Sequence, residues 1–196
     1  MKSIKNWKVF AFPILLCLIV SLGFILAAAI KFRMGFPLDD AWIHQTFARN
    51  LAYYGEWSFN SGSPSAGSTS PLWTLLLSIG YFAHIPTLVW AYILGISLFV
   101  FLVIFIVSLS SHENTQSNKY LMYLTIFLAA TEWHLVWAAV SGMETILFSL
   151  SVIAVFWLLM QKKLQPILIG TVIGLSVWVR PEGLTLLGPG LLVFFV

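Results

Sequence analysis

The chain has 196 residues, 60% hydrophobic and 9% charged, with 10 Lys and Arg against 7 Asp and Glu for a net charge of +3. Soluble domains carry about a quarter of their residues as charges, and no water-soluble core could hide this much apolar surface at a mean hydropathy of +0.94. Composition therefore excludes a soluble enzyme and predicts an all-α, polytopic transmembrane helical bundle.

The first apolar run, Val9–Ile30, is long enough to cross a hydrocarbon core, which takes about 20 residues. Lys2, Lys5 and Lys8 precede it and place the N-terminus in the cytoplasm by the positive-inside rule. Ala27-Ala28-Ala29 offers small residues for signal-peptide cleavage, but the run exceeds the roughly 7–15 residues of a signal core, which favours an uncleaved span. It also holds the single cysteine, Cys17, so no intramolecular disulfide or cysteine-built metal site exists.

A polar island follows at Lys31–Ser70, opening with Asp39-Asp40 and closing with the Gly/Ser-rich stretch Ser61–Ser70. Asp40, His44, Phe47 and Leu51 share one face at helical spacing, which predicts an amphipathic surface helix over Asp40–Tyr54. Pro71–Ala83 is too short to span and reads as an interfacial or re-entrant helix, with Trp73, Tyr81 and His84 at headgroup depth. Residues 31–84 thus form a first extracytoplasmic loop with surface helices, inside one module covering 1–196.

Further apolar runs lie at Ile85–Leu109, Tyr120–Val140, Ile146–Met160, Pro166–Val179 and Leu184–Val196. Lys162-Lys163 form the second basic cluster and are also expected inside. An even number of crossings must then precede them, and the spans at 9–30, 85–109, 120–140 and 146–160 supply four. That topology gathers Lys31–Ser70, the Glu132–Glu144 turn and Arg180-Pro181-Glu182 on the outer side, with every acidic residue except Glu113. The sequence runs out inside an apolar run, as expected of the N-terminal portion of a longer protein. No internal repeat or linker divides it.

Each polar candidate has a structural and a functional reading. Asp39 and Asp40 suit a helix start, where carboxylates complement the dipole, and equally suit a general base or cation ligand. Glu144, in Ser141-Gly-Met-Glu-Thr145, either caps the next helix or is a functional acid at the membrane boundary. Arg180 either pairs locally with Glu182 and snorkels, or binds phosphate with its planar fork. Arg49 fits a solvated helix face or a phosphate, and His44 a structural hydrogen bond or a proton transfer. Glu132 and His134 read as part of an aromatic interfacial belt with Trp133 and Trp137. Ser61–Ser70 lacks the Walker spacing and reads as a flexible linker.

Three patterns in order carry a resemblance: Asp39-Asp40-Ala-Trp-Ile-His-Gln-Thr-Phe-Ala-Arg-Asn-Leu51 with Gly55-Glu-Trp-Ser-Phe-Asn60 and Ser68-Thr-Ser-Pro-Leu-Trp73, then Ser141-Gly-Met-Glu-Thr145, then Arg180-Pro-Glu-Gly183. Together they resemble the GT-C membrane glycosyltransferases, in the arabinofuranosyl- and mannosyltransferase-like branch, over Ala11–Gly183. The resemblance implies a donor sugar on a polyprenyl phosphate, a glycan, lipid or protein acceptor, and an active site outside the cytoplasmic (inner) membrane. It places Asp39 and Asp40 at the catalytic centre and Glu144 as the second acidic position. Members are longer than this chain, with more spans.

The expected reaction is inverting transfer. Asp39 or Asp40 deprotonates the acceptor, and Arg180, Arg49, Glu144 and His44 surround the departing lipid phosphate. A divalent cation held by Asp39 and Glu144 is the alternative stabiliser of that charge. Membrane lipids are expected partners and nucleic acid is not. The rival classes are a transporter or channel, which also needs intramembrane acids and arginines, and a non-catalytic membrane remnant.

Overall fold

The computed structural model describes residues 8–112 and 119–195. Lys2, Lys5 and Glu113, on which part of the charge reading rests, lie outside them.

The described chain is mostly helical. Helix α1 (Lys8–Lys31) is apolar throughout. Pro37 precedes α2 (Asp39–Tyr54), whose first turn carries Asp39 and Asp40 and whose end is fixed by Gly55 at φ 69°. Glycine takes this left-handed cap without a Cβ clash, and its N–H closes on the Leu51 carbonyl at 3.0 Å. A hairpin, β1 (Ser58–Asn60) against β2 (Ser63–Pro64), turns at Gly62 and is the departure from an all-helical chain. Helix α3 (Pro71–Phe82) begins on a proline, which suits the first helical position because its missing N–H is not needed there.

The remaining helices are α4 (Thr87–His112), α5 (Lys119–Thr131), α6 (Trp133–Val140), α7 (Thr145–Leu159), α8 (Pro166–Val179) and α9 (Leu187–Phe195). A 3-10 turn, Pro181–Leu186, separates the last two. Among the described residues two helices are long and apolar enough to cross a membrane, Phe10–Lys31 and Thr87–Leu109. A third is added if α5 and α6 count as one span bent by 51°.

Two expectations change here. The run over 120–140 is not one straight helix, because it breaks at Glu132. Helices α7 and α8, of 15 and 14 residues, fall short of the roughly 20 that a full crossing takes. Helix lengths therefore do not supply the four crossings counted before Lys162.

Packing falls into three clusters. Cys17, Phe99, Leu102 and Ile126 join α1, α4 and α5. Trp73, Leu77, Ala41 and Ala91 join α2, α3 and α4. Val155, Leu158, Ile169 and Leu186 join α7, α8 and the 3-10 turn. Helix α3 also touches α8, so the second and third clusters meet where the polar residues converge. Helix α4 approaches α6 so closely at Gly95 that a Cβ there would fall on the Ala139 carbonyl, a backbone atom with nowhere to go.

Gly95→Ala should therefore lower the melting temperature in detergent, since overpacking costs about 1–3 kcal/mol. Gly174→Ala on α8, with open space around its α-carbon, should leave the melting temperature unchanged or slightly raised. Equal melting of both variants would remove the α4–α6 contact from the account.

Candidate functional site

The site grows from the start of α2, the turn before α7 and the end of α8. On α2, Leu38 occupies the N-cap position and supplies no side-chain cap. The Asp40 N–H donates to Asp39 Oδ1 at 3.1 Å, and both carboxylates are exposed. One turn on, His44 is buried at 2% exposure. Its Nδ1 lies 3.1 Å from Ser68 Oγ, and Ser68 Oγ lies 2.8 Å from Thr74 Oγ1. A serine of the Gly/Ser stretch and a threonine of α3 thus fix the imidazole ring from one side.

On its other side, His44 Nε2 faces Glu144 Oε2 at 3.5 Å. That separation is long for a hydrogen bond, and both buried atoms lack a hydrogen-bond partner. Glu144 stands at the N-cap position of α7 but makes no capping bond, so its carboxylate is turned inward. The turn that aims it is closely held. Gly142 sits at φ 78° with its carbonyl accepting the Trp73 indole N–H at 2.9 Å. A Cβ at Gly142 would lie 2.6 Å from the Phe36 ring, so this position needs glycine for both conformation and space.

Arg180 completes the cluster. Proline at 181 favours extended backbone in the residue before it, and Arg180 leaves α8 in that conformation. Its Nε reaches Glu144 Oε1 at 3.5 Å, its second terminal nitrogen reaches Glu182 Oε1 at 3.4 Å, and its guanidinium lies over the Phe148 ring at 5.8 Å. The arginine side chain keeps 34% exposure against 3% for Glu144. One end of this charge chain is buried and the other is open.

Burial dominates the electrostatics. It pushes Glu144 above the usual carboxylate value of 4.5, with Arg180 opposing and the Asp40 and Glu182 charges reinforcing. It pushes His44 below its usual 6.5, with Asp40 opposing and Arg180 reinforcing. The pair can therefore hold or release a proton in a shielded place. Asp40 is an open carboxylate whose charge is felt by both, and Arg180 is a partly exposed cation.

Beside the cluster lies a groove of about 420 Å3, lined by Phe24, Ala28, Phe36, Tyr92 and Trp137 with Arg33 among them. Phe36 belongs to both the groove and the Gly142 contact.

The structure brings together Asp40, His44, Glu144, Arg180 and Glu182, from three segments far apart in sequence. It does not bring Arg49, whose Nε and terminal nitrogen both donate to Asn50 Oδ1 at 3.2 Å. Asp39 is turned to the Asp40 amide, and no interaction joins it to Glu144. Among the described residues no three of His, Cys, Asp and Glu gather closely enough to hold a metal ion. Glu132 and His134 pair with each other at 2.6 Å on the α5–α6 break, away from this cluster.

Ser68, Thr74, Trp73 and Asn50 were not singled out as site residues by sequence reasoning. The Ser61–Ser70 stretch is not a free linker: it holds the turn and second strand of the hairpin, Ser68 and Ser70 are buried, and Asn50 ties the first strand to α2 through the Ser58 and Phe59 carbonyls at 2.9 and 3.0 Å. The serine spacing gave no signal for this, because burial depends on α2 and α3 closing around the loop. No family model, curated protein or solved structure matches the chain.

The raised Glu144 value means that the folded chain holds this proton more tightly than the unfolded chain. Its contribution to stability is present below 4.5 and lost as pH rises through the folded value. The depressed His44 value acts oppositely, with stability present above 6.5 and lost as pH falls through the folded value. Glu144→Gln should therefore gain melting temperature relative to the parent as pH climbs from 4.5, by about 2–4 °C per kcal/mol of relieved burial cost. A pH-independent difference between the two proteins would show that Glu144 is not held above its usual value.

Proposed function

We propose that the chain is a polytopic membrane glycosyltransferase of the GT-C kind, acting on a polyprenyl-phosphate sugar at the outer face of the cytoplasmic membrane. The observation that carries this reading is the convergence of Asp40, His44, Glu144 and Arg180 beside an apolar groove. A lipid-phosphate donor presents an apolar chain and an anionic head, and the groove with Arg33 and the cluster with Arg180 offer one surface for each.

In this reading Asp40 takes the proton of the acceptor hydroxyl as its oxygen attacks the anomeric carbon. The bond from that carbon to the phosphate oxygen breaks, and the lipid phosphate leaves with the electron pair. Arg180 neutralises the growing phosphate charge. Glu144 holds its Nε, and the exposed terminal nitrogens, one of them 3.4 Å from Glu182 Oε1, exchange that surface partner for the leaving group. His44 and Glu144 position the arginine rather than touch the sugar. Arg49, committed to Asn50, is not used. One observation favours the competing transporter reading: His44 Nε2 and Glu144 Oε2 are buried ionisable atoms without a hydrogen-bond partner, so either can take up a proton there.

Transfer of radiolabelled sugar from polyprenyl-phosphate donors in native membranes tests this. Asp40→Asn should lose about 10²–10⁴-fold, the usual worth of a general base. Arg180→Ala should lose about 10²–10³-fold, the usual worth of a donor that stabilises developing charge. Asp39→Asn should stay within tenfold of the parent, because Asp39 is turned away. Transfer unaffected by Asp40→Asn and Arg180→Ala at matched expression would overturn the assignment, and proton-coupled uptake lost in Glu144→Gln would install the transporter instead.

A further inference from the structure

The break between α5 and α6 stands beside the middle of α1. Phe12 meets the Tyr123 ring near one end of α1, while Trp137 and Val140 share the groove with Phe24–Ala29 near the other. Between those levels, Cys17, Ile126, Ala130 and Val136 pack in one cluster. If α1 crosses the membrane, Glu132 and His134 lie near mid-depth of the hydrocarbon. They do not face the bundle: their side chains are 41% and 69% exposed.

Two physical requirements are then left open. Ionisable side chains at such depth face protein or water, because lipid tails cannot solvate them. A helix break at that depth also frees backbone groups, and a broken helix is tolerated where protein or a wet cavity covers it. Glu132 meets part of the second requirement by accepting the Leu135 N–H at 2.9 Å, and apart from the neighbouring Trp133 ring the pair stays largely exposed among the described residues. The surrounding surface is apolar and exposed, with Leu124, Phe127, Leu128 and Trp133 flanking the two polar residues.

We propose that this face is a dimer interface between two copies of the chain, related by a two-fold axis along the bundle. The charge pattern selects a second copy. The patch carries an acceptor and a donor two residues apart, joined at 2.6 Å through His134 Nδ1. A two-fold axis sets each residue near its counterpart at equal depth, so the Nε2 side of one imidazole meets the other copy's Glu132 and the reverse contact forms at once. A partner of a single sign would serve only one of the two groups. The exposed Trp133, tilted against His134 at 3.8 Å, could in isolation serve as a sugar platform, but its depth beside α1 keeps it from water.

Single-cysteine cross-linking of the full chain in native membranes tests the proposal. Cys17 is buried and is the single cysteine, so Cys17→Ala gives a clean background. In it, Leu128→Cys should form an oxidative dimer at least fivefold more than Leu175→Cys on the exposed face of α8. Adding His134→Leu, which breaks the pair and leaves the Glu132 cap of α6 in place, should cut the Leu128→Cys cross-link severalfold while the monomer's melting temperature holds. Equal cross-linking at positions 128 and 175 would overturn the interface. So would a dimer that ignores loss of the pair, or ready labelling of the Leu128→Cys variant by a membrane-impermeant maleimide.

Discussion

A carboxylate held out of water must be answered by other groups, and Glu144 sets that demand for the whole polar end of the molecule. Its two oxygens look in different directions, one to His44 and the other to Arg180. Those partners come from α2 and from the end of α8, so the three segments must close on one point before the charge is tolerable. Breaking one arm of such a pair is costly because it strands the other charge.

The supporting contacts follow from that demand. The Trp73 indole N–H on the Gly142 carbonyl ties α3 to the turn that aims Glu144. The same helix presents Thr74 to Ser68, which steadies His44. Helix α3 therefore serves the acid and the imidazole from neighbouring residues. Twelve residues long, it works as a wedge among α2, α4 and α8. That accounts for its apolar sequence without requiring it to cross a membrane.

Much of this was legible in the chain. Helix α2 shows in the Asp40, His44, Phe47 spacing and in Gly55, and α3 shows in Pro71 and its short apolar run. The crossing count places the first loop, Glu144 and Arg180 on one side; the structure joins these residues by contact, while its helix lengths do not supply that count. The rest depended on tertiary facts. The Thr131–Glu132 break carries no glycine or proline, so nothing local announced it. Asn50, Ser68 and Thr74 are short polar residues whose value lies in which partner arrives across space. Arg49 has the right chemistry for a phosphate, but Asn50 beside it draws two of its donors, on Nε and one terminal nitrogen, to one side.

Phe36 packs on the Trp42 and Tyr92 rings and stands between two features of the site. One side of its ring faces the apolar groove and the other presses on Gly142, two residues before the buried acid. A molecule seated in the groove would press on the same ring that packs against the turn. Any molecule that fits the groove better when the turn is seated will, by the same factor, hold the turn seated. Contact with an apolar molecule in the groove and the placing of Glu144 would then be linked through one ring.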